Sequence, residues 1–216
     1  MTTQEILKKY PNLVEISSRD KALFPELVKI FSRSCRGNPL LDYILGDSKR
    51  RPKIEKTCFR YMLKSGIKYG KVFAIIENGK PYAFGMMVSN SNRLYSLPYQ
   101  IAAGALSMVF GCGIPVILRS FRYEHAVGKI RKKNMPENHL YGYFLAVDPE
   151  KQRDAFRSSK FLLEGCRLWA EERDLTFYFE TMSKRHQIYY SKHGFDTTGE
   201  FDFPKLGITF YSMKAK

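Results

Sequence analysis

Apolar positions in the first third of the chain repeat at helical spacing. Phe24, Leu27, Val28 and Phe31 fall at i, i+3, i+4 and i+7, one face of a helix for which Asp20 is a plausible N-cap. Asn38-Pro39 opens a second short helix through Leu45. A third runs from about Pro52 to Lys68, with Ile54, Cys58, Tyr61, Met62 and Ser65 on one side and Gly70 at its end. Before them, Asn12 to Ile16 alternates weakly, as a first strand does. Then the period changes. Val72 to Ile76 is β-rich, Asn78-Gly79 is a two-residue hairpin signal, and Tyr82 to Val88 returns as a strand.

From Leu94 to Leu118 the chain carries no charge. Its length would span a bilayer, but Pro98, Pro115, Gly104, Gly111 and Gly113 interrupt it. It reads as a loop plus a buried helix, roughly Tyr99 to Phe110. Ile114 to Phe121 fits helix or strand equally. Beyond it, Leu140 to Val147 is a buried strand stopped by Asp148-Pro149, and a helix follows over about Ala155 to Arg173. Leu175 to Thr181 is a strand, and Lys184 to His193 a short helix closed by Gly194. Phe195 to Phe203 and Gly207 to Met213 are the last two strands. This mixed order calls for an α/β (α+β) fold, one central twisted mixed sheet flanked by helices, in a single domain over 1–216.

Composition narrows the setting. With 216 residues, 44% hydrophobic and 26% charged, the chain has ample length for one core. Cys35, Cys58, Cys112 and Cys166 lie far apart, which supports neither a zinc site nor a disulfide framework. The polar start, Met1 to Tyr10, has no signal-peptide core. Both features point to a soluble cytoplasmic protein with reduced thiols. The net charge of +15 favours polyanions: coenzyme A, nucleic acid or an anionic membrane surface. Nucleic acid is disfavoured, because the basic groups Lys49–Lys53 and Lys129–Lys133 are not interleaved with aromatics. No histidine–carboxylate spacing suggests a metal.

The second half carries an ordered set of motifs. The strand Gly142-Tyr143-Phe144-Leu145-Ala146-Val147 runs into Asp148-Pro149-Glu150-Lys151-Gln152 and a helix. Later come Phe177-Tyr178-Phe179-Glu180-Thr181 and Tyr190-Ser191-Lys192-His193-Gly194-Phe195. In this order they resemble the Gcn5-related N-acetyltransferases (GNAT), above all the puromycin N-acetyltransferase-like enzymes. The resemblance is close after Leu140 and loose before it. It implies a GNAT fold with an acceptor-side half, 1–135, and a cofactor-side half, 136–216.

The resemblance also implies acetyl-CoA as co-substrate and a small-molecule primary amine as acceptor. The backbone of Leu145, Ala146 and Val147 would pair with the pantetheine arm as a pseudo-strand. Gln152, Arg153, Ala155, Phe156, Arg157 and Ser158 would take the pyrophosphate at a helix N-terminus. His186 stands where the family has an asparagine on the cofactor arm. Tyr190 would protonate the departing thiolate, and Glu180 is the candidate general base. His139, before the central strand, reads as structural.

One departure is plain. The family pattern Gln/Arg-x-x-Gly-x-Gly/Ala is here Gln152-Arg153-Asp154-Ala155-Phe156-Arg157, without either glycine. A Cβ limits how closely backbone amides approach a phosphate, though Arg153, Arg157 and Lys160 are available as charged donors. Two readings stay open: an active N-acyltransferase, or a GNAT-fold binding protein whose loop has degenerated. In the first, the acceptor site is expected from the three N-terminal helices and Leu94–Leu118, whose apolar character suits a hydrophobic amine.

Overall fold

The computed structural model describes residues 10–89 and 97–216, together with Glu5, Leu7 and Lys8; for residues 89, 97, 99, 103, 129, 130, 132 and 152–159 it describes the backbone alone. Most of the polar start and the first residues of the uncharged stretch therefore lie outside the described residues. Three helices open the chain after a short strand β1 (Leu13–Glu15): α1 (Phe24–Ser34), α2 (Pro39–Leu45) and α3 (Arg51–Tyr69). Asn38 caps α2, its side chain accepting from the backbone N–H groups of Leu40 and Leu41. Asp20 does not cap α1. Its carboxylate turns back to accept from the N–H and hydroxyl of Ser17, and a 3₁₀ turn, Lys21–Leu23, leads into the helix.

β2 (Gly70–Glu77) and β3 (Lys80–Ser89) form the expected hairpin. Asn78 and Gly79 both take positive φ, 50° and 75°, as a two-residue turn of this hand requires. The uncharged stretch is not one helix. Gly104, at φ 100°, breaks it into α4 (Leu97–Ala103) and α5 (Ala105–Cys112), a conformation open to a residue without Cβ. The ambiguous segment from Ile114 opens a third and longer helix, α6 (Ile114–Asn134). Among the described residues no helix is long and apolar enough to cross a membrane.

Then follow β4 (His139–Val147), α7 (Gln152–Glu171), β5 (Thr176–Thr181), α8 (Lys184–Ser191), β6 (Phe195–Phe203) and β7 (Ile208–Ala215). The seven strands make one mixed sheet in the order β1-β2-β3-β4-β5-β7-β6. Among the described residues only β4 and β5 pair in parallel, and α7 is the crossover between them.

Strands buried on both faces read as unbroken apolar runs, which is why Val72 to Ile75 shows little alternation. Phe73, Ile75, Met87, Leu140, Phe177 and Phe179 pack on one face against α7, through Leu162, Cys166 and Trp169. Val72, Ala74, Phe84, Met86 and Ala146 pack on the other against α1 and α3. Phe31 centres this second layer. Its ring lies 4.2 Å from Phe59, 5.4 Å from Phe84 and 3.9 Å from Phe144, so α1 is pinned to the far end of β4. A third cluster joins Tyr123 and Val127 of α6 to Phe201, Phe203 and Phe210 at the opposite edge of the sheet. Between α6, the sheet and α3 this leaves a gap.

Candidate functional site

The gap begins where two strands part. β4 pairs with β5 only from His139↔Thr176 to Gly142↔Phe179, yet stays paired with β3 as far as Val147↔Ala83. A bulge opposite Met86/Met87 leaves Tyr143 without a β3 counterpart and bends the strand there. Gly142 is needed at the last shared rung, since a Cβ on it would stand 2.9 Å from the Phe177 ring. From Tyr143 to Val147, alternate residues turn N–H and C=O groups toward the space that β5 has left. Leu145 and Val147 line that space. The side chain of Ala146 points into the core and its N–H and C=O face Phe84 of β3, in phase with the Asp148 N–H on the Tyr82 carbonyl, so the free backbone groups are those of Leu145 and Val147.

At the end of β4 the chain passes through a 3₁₀ turn, Pro149–Lys151, into α7, whose N-terminus carries unpaired N–H groups and the positive dipole end. The side chains of Gln152, Arg153, Ala155, Phe156, Arg157 and Ser158 lie outside the described residues. The acids just before them are neutralised from α1, where Arg33 contacts Asp148 at 2.8 Å and Glu150 at 3.0 Å.

The opening widens into a cavity of about 1230 Å³. One wall is β4, the end of β5 and α8; the other is α3 to α6. Tyr190, Tyr189, His186 and Arg185 line it from α8. The Tyr190 ring sits edge-on to Phe179 at 4.9 Å and near Phe195, while its hydroxyl meets no hydrogen-bond partner among the described residues. Burial, helped by the neighbouring Tyr189, pushes its phenol up to about 12. His186 is shifted below the ordinary histidine value by burial and then by Arg185, so its ring is neutral at pH 7.

Glu180 also lines the cavity, but its carboxylate is heavily engaged. Arg131 Nε donates to Oε1 at 2.9 Å and to Oε2 at 3.1 Å, Tyr141 donates to Oε2 at 3.2 Å, and the Tyr178 hydroxyl stands 3.2 Å from Oε1. Arg131 reaches on to Glu124 at 3.0 Å and to the Tyr123 hydroxyl at 3.4 Å. The side chains of Arg131 and Glu180 are only 6% and 5% exposed, so this is a buried network. Sequence reading missed Arg131, grouping it with the surface cations Lys129–Lys133. The signal was the four-residue repeat Tyr123, Val127, Arg131, which puts the guanidinium on the inward face of α6.

His139 stands outside the cavity wall, its Nδ1 2.9 Å from the Pro136 carbonyl. Cys58 and Cys112, far apart in sequence, bring their thiols within 3.5 Å between α3 and α5. No cluster of three or more histidine, cysteine or carboxylate groups able to hold a metal occurs among the described residues.

No protein-family model and no curated protein matches the sequence. Solved structures do match. An acetyltransferase from Corynebacterium glutamicum, described as histone acetyltransferase HPA2 and related, superposes with a TM-score of 0.66 at 16% identity, covering 94% of each chain. A GNAT-family protein from Desulfovibrio desulfuricans gives 0.54 at 10%, covering 94% of this chain and 97% of its own. The fold is the GNAT fold. The C-terminal condensation domain of Ebony, solved with beta-alanyl-dopamine, gives 0.65 at 11%, covering 94% and 97%. Coverage of nearly the whole chain includes the N-terminal helices, so the GNAT fold here extends well beyond the second half in which the motifs are clear.

Proposed function

We propose that this protein is an acyl-CoA-dependent N-acyltransferase that moves an acetyl group from acetyl-CoA to the primary amine of a small molecule. The observation that carries this reading is the parting of β4 from β5 beyond Gly142, with a helix N-terminus at one end and Tyr190 at the other. A free strand edge suits an extended amide-bearing arm, and a helix N-terminus suits a pyrophosphate. The motif resemblance and the acetyltransferases of the same fold support it further.

In the transfer, acetyl-CoA supplies the acetyl group and departs as the thiol, while the amine gains a C–N bond and loses a proton. The backbone of Leu145 and Val147 would orient the arm, with Ala146 between them held on β3; Gln152, Arg153, Ala155, Phe156, Arg157 and Ser158 would hold the phosphates; His186 would donate from α8. Tyr190 would act at the sulfur. Full proton transfer from a phenol at about 12 to a thiolate whose thiol ionises at about 8.5 runs uphill. Its contribution is therefore a hydrogen bond that strengthens as charge develops on sulfur, with the proton balance closed by the one the amine releases. Glu180 has few lone pairs left for a direct role. As base it would act through Tyr141, a residue of the cavity lining whose hydroxyl hydrogen-bonds to the carboxylate.

A second reading has one specific support: the sequence Gln152–Arg157 lacks both loop glycines. In that reading the protein keeps the fold and cavity and binds a ligand without transfer. Titration calorimetry with acetyl-CoA, followed by product detection across a panel of apolar primary amines, separates the two. Binding with product is expected. An absence of both would hand the cavity to the second reading.

A further inference from the structure

Among the described residues nine large apolar side chains are well exposed, and seven of them fall between Ile101 and Phe121. They include Phe110 at 83%, Ile114 at 66%, Leu106 at 58%, Phe121 at 57% and Leu118 at 50%. These residues stand on α4, α5 and α6, next to one another in the fold. Isolated exposed apolar residues are ordinary, but a contiguous group on three consecutive helices marks an interaction surface.

The charge around the group is one-sided. Residues 48–69 and 97–122 carry ten of the 36 lysines and arginines and one acid, Glu55. Glu55 turns away from the patch, toward Ser32 and Arg51. α5 lies along α3, where a Cβ on Gly111 would touch Thr57 and where Lys68 donates to the Ala102 carbonyl of α4. Lys53, Arg60 and Lys64, exposed on α3 at helical spacing with Thr57, therefore border the apolar group. A second copy of the same face would set like charge against like charge, which disfavours self-association there.

We propose that the face made by α3, α4, α5 and the start of α6 docks on an anionic lipid bilayer, its apolar residues in the interface and its lysines and arginines on the headgroups. Apolar side chains rimmed by cations are what such a surface binds. Ile101, Leu106, Val109 and Phe121 are both exposed and part of the cavity lining, so the cavity opens through the docking face. An amphiphilic amine dissolved in the bilayer then reaches the acceptor side without crossing water. That last step rests on the acyl-transfer reading; the docking does not.

Co-sedimentation with vesicles tests the docking alone. Vesicles of phosphatidylcholine doped with phosphatidylserine should bind the protein at least about tenfold more tightly than phosphatidylcholine alone, and salt should weaken the difference. One cation near such a surface is worth about fivefold. The three lost attractions alone amount to about a hundredfold, so the charge-reversal variant K53E/R60E/K64E should lose at least that much. Phe110→Asp should lose affinity even at low salt, and circular dichroism should show both variants folded. Equal binding to the two vesicle types, or anionic binding indifferent to both variants, would overturn the proposal. So would a soluble dimer dissociated by Phe110→Asp, which would give the face to a second copy.

Discussion

Along β4 the cavity wall is backbone, the free N–H and C=O groups from Tyr143 to Val147, whereas across from it the wall is side chains: Tyr61 and Met62 of α3, Met108 of α5, Phe121 and Glu124 of α6. Any residue supplies a backbone edge, so the first wall tolerates sequence change as long as the strands part at the same rung. That is how the fold persists at 16% identity and below, and how a helix N-terminus remains after both loop glycines are gone. The second wall has no such tolerance. Each substitution there changes the shape and polarity of the cavity itself.

The sharpest break in this contrast is Tyr190, a side chain on the backbone-built wall. Tyr190→Phe keeps the ring against Phe179 and should lower turnover by about 10²–10³-fold, the value of one transition-state hydrogen-bond donor, with acetyl-CoA affinity unchanged, measured by steady-state kinetics beside calorimetry. An equal loss in affinity would make the hydroxyl a cofactor contact. Of similar size is Arg131→Met, which leaves Glu180 and Glu124 facing each other without their shared cation. Breaking a buried pair in this way should cost about 3–5 kcal/mol in urea unfolding.

The start of α7 gives a smaller effect. If side chains have taken over from lost backbone contacts, R153A/R157A should weaken acetyl-CoA binding by roughly 2–4 kcal/mol, the value of two charge-assisted contacts. An unchanged affinity would mean that the backbone alone still does the work. The smallest effect concerns pH. Burial depresses His139 below 6.5, so the unfolded chain takes up that proton more readily. The stability contributed by the neutral ring is present above pH 6.5 and is lost as pH falls below it, by at most about tenfold in the folding equilibrium per pH unit. Melts of His139→Gln between pH 7 and pH 5.5 should show a shallower slope than the parent chain.

What was legible in the sequence follows the same division. The Asn78-Gly79 turn, the Asn38 cap and the strands β4 to β7 announce themselves because local chemistry decides them. The divisions of the uncharged stretch did not, because apolar residues surround Gly104 on both sides and periodicity alone does not say where a helix stops. Asp20 looked like a cap and instead holds Ser17, a choice between two nearby donors that spacing leaves open. Arg131 was hidden among surface cations, since its burial depends on Glu180, which lies 49 residues away. Around the site, the backbone wall left a motif to read, while the engagement of Glu180 is a property of tertiary contacts.

The short parallel seam between β4 and β5 has a consequence for amide hydrogen exchange. From Leu140 to Gly142 the strand is laddered on both sides, and its amides open only with the sheet itself. From Tyr143 to Val147 every second amide lacks a partner strand, so protected and unprotected sites alternate along one continuous strand, like the teeth of a comb. An extended molecule lying in the gap would fill the spaces between the teeth. The loss of that alternation would report occupancy at single-residue resolution, whether or not any chemistry followed.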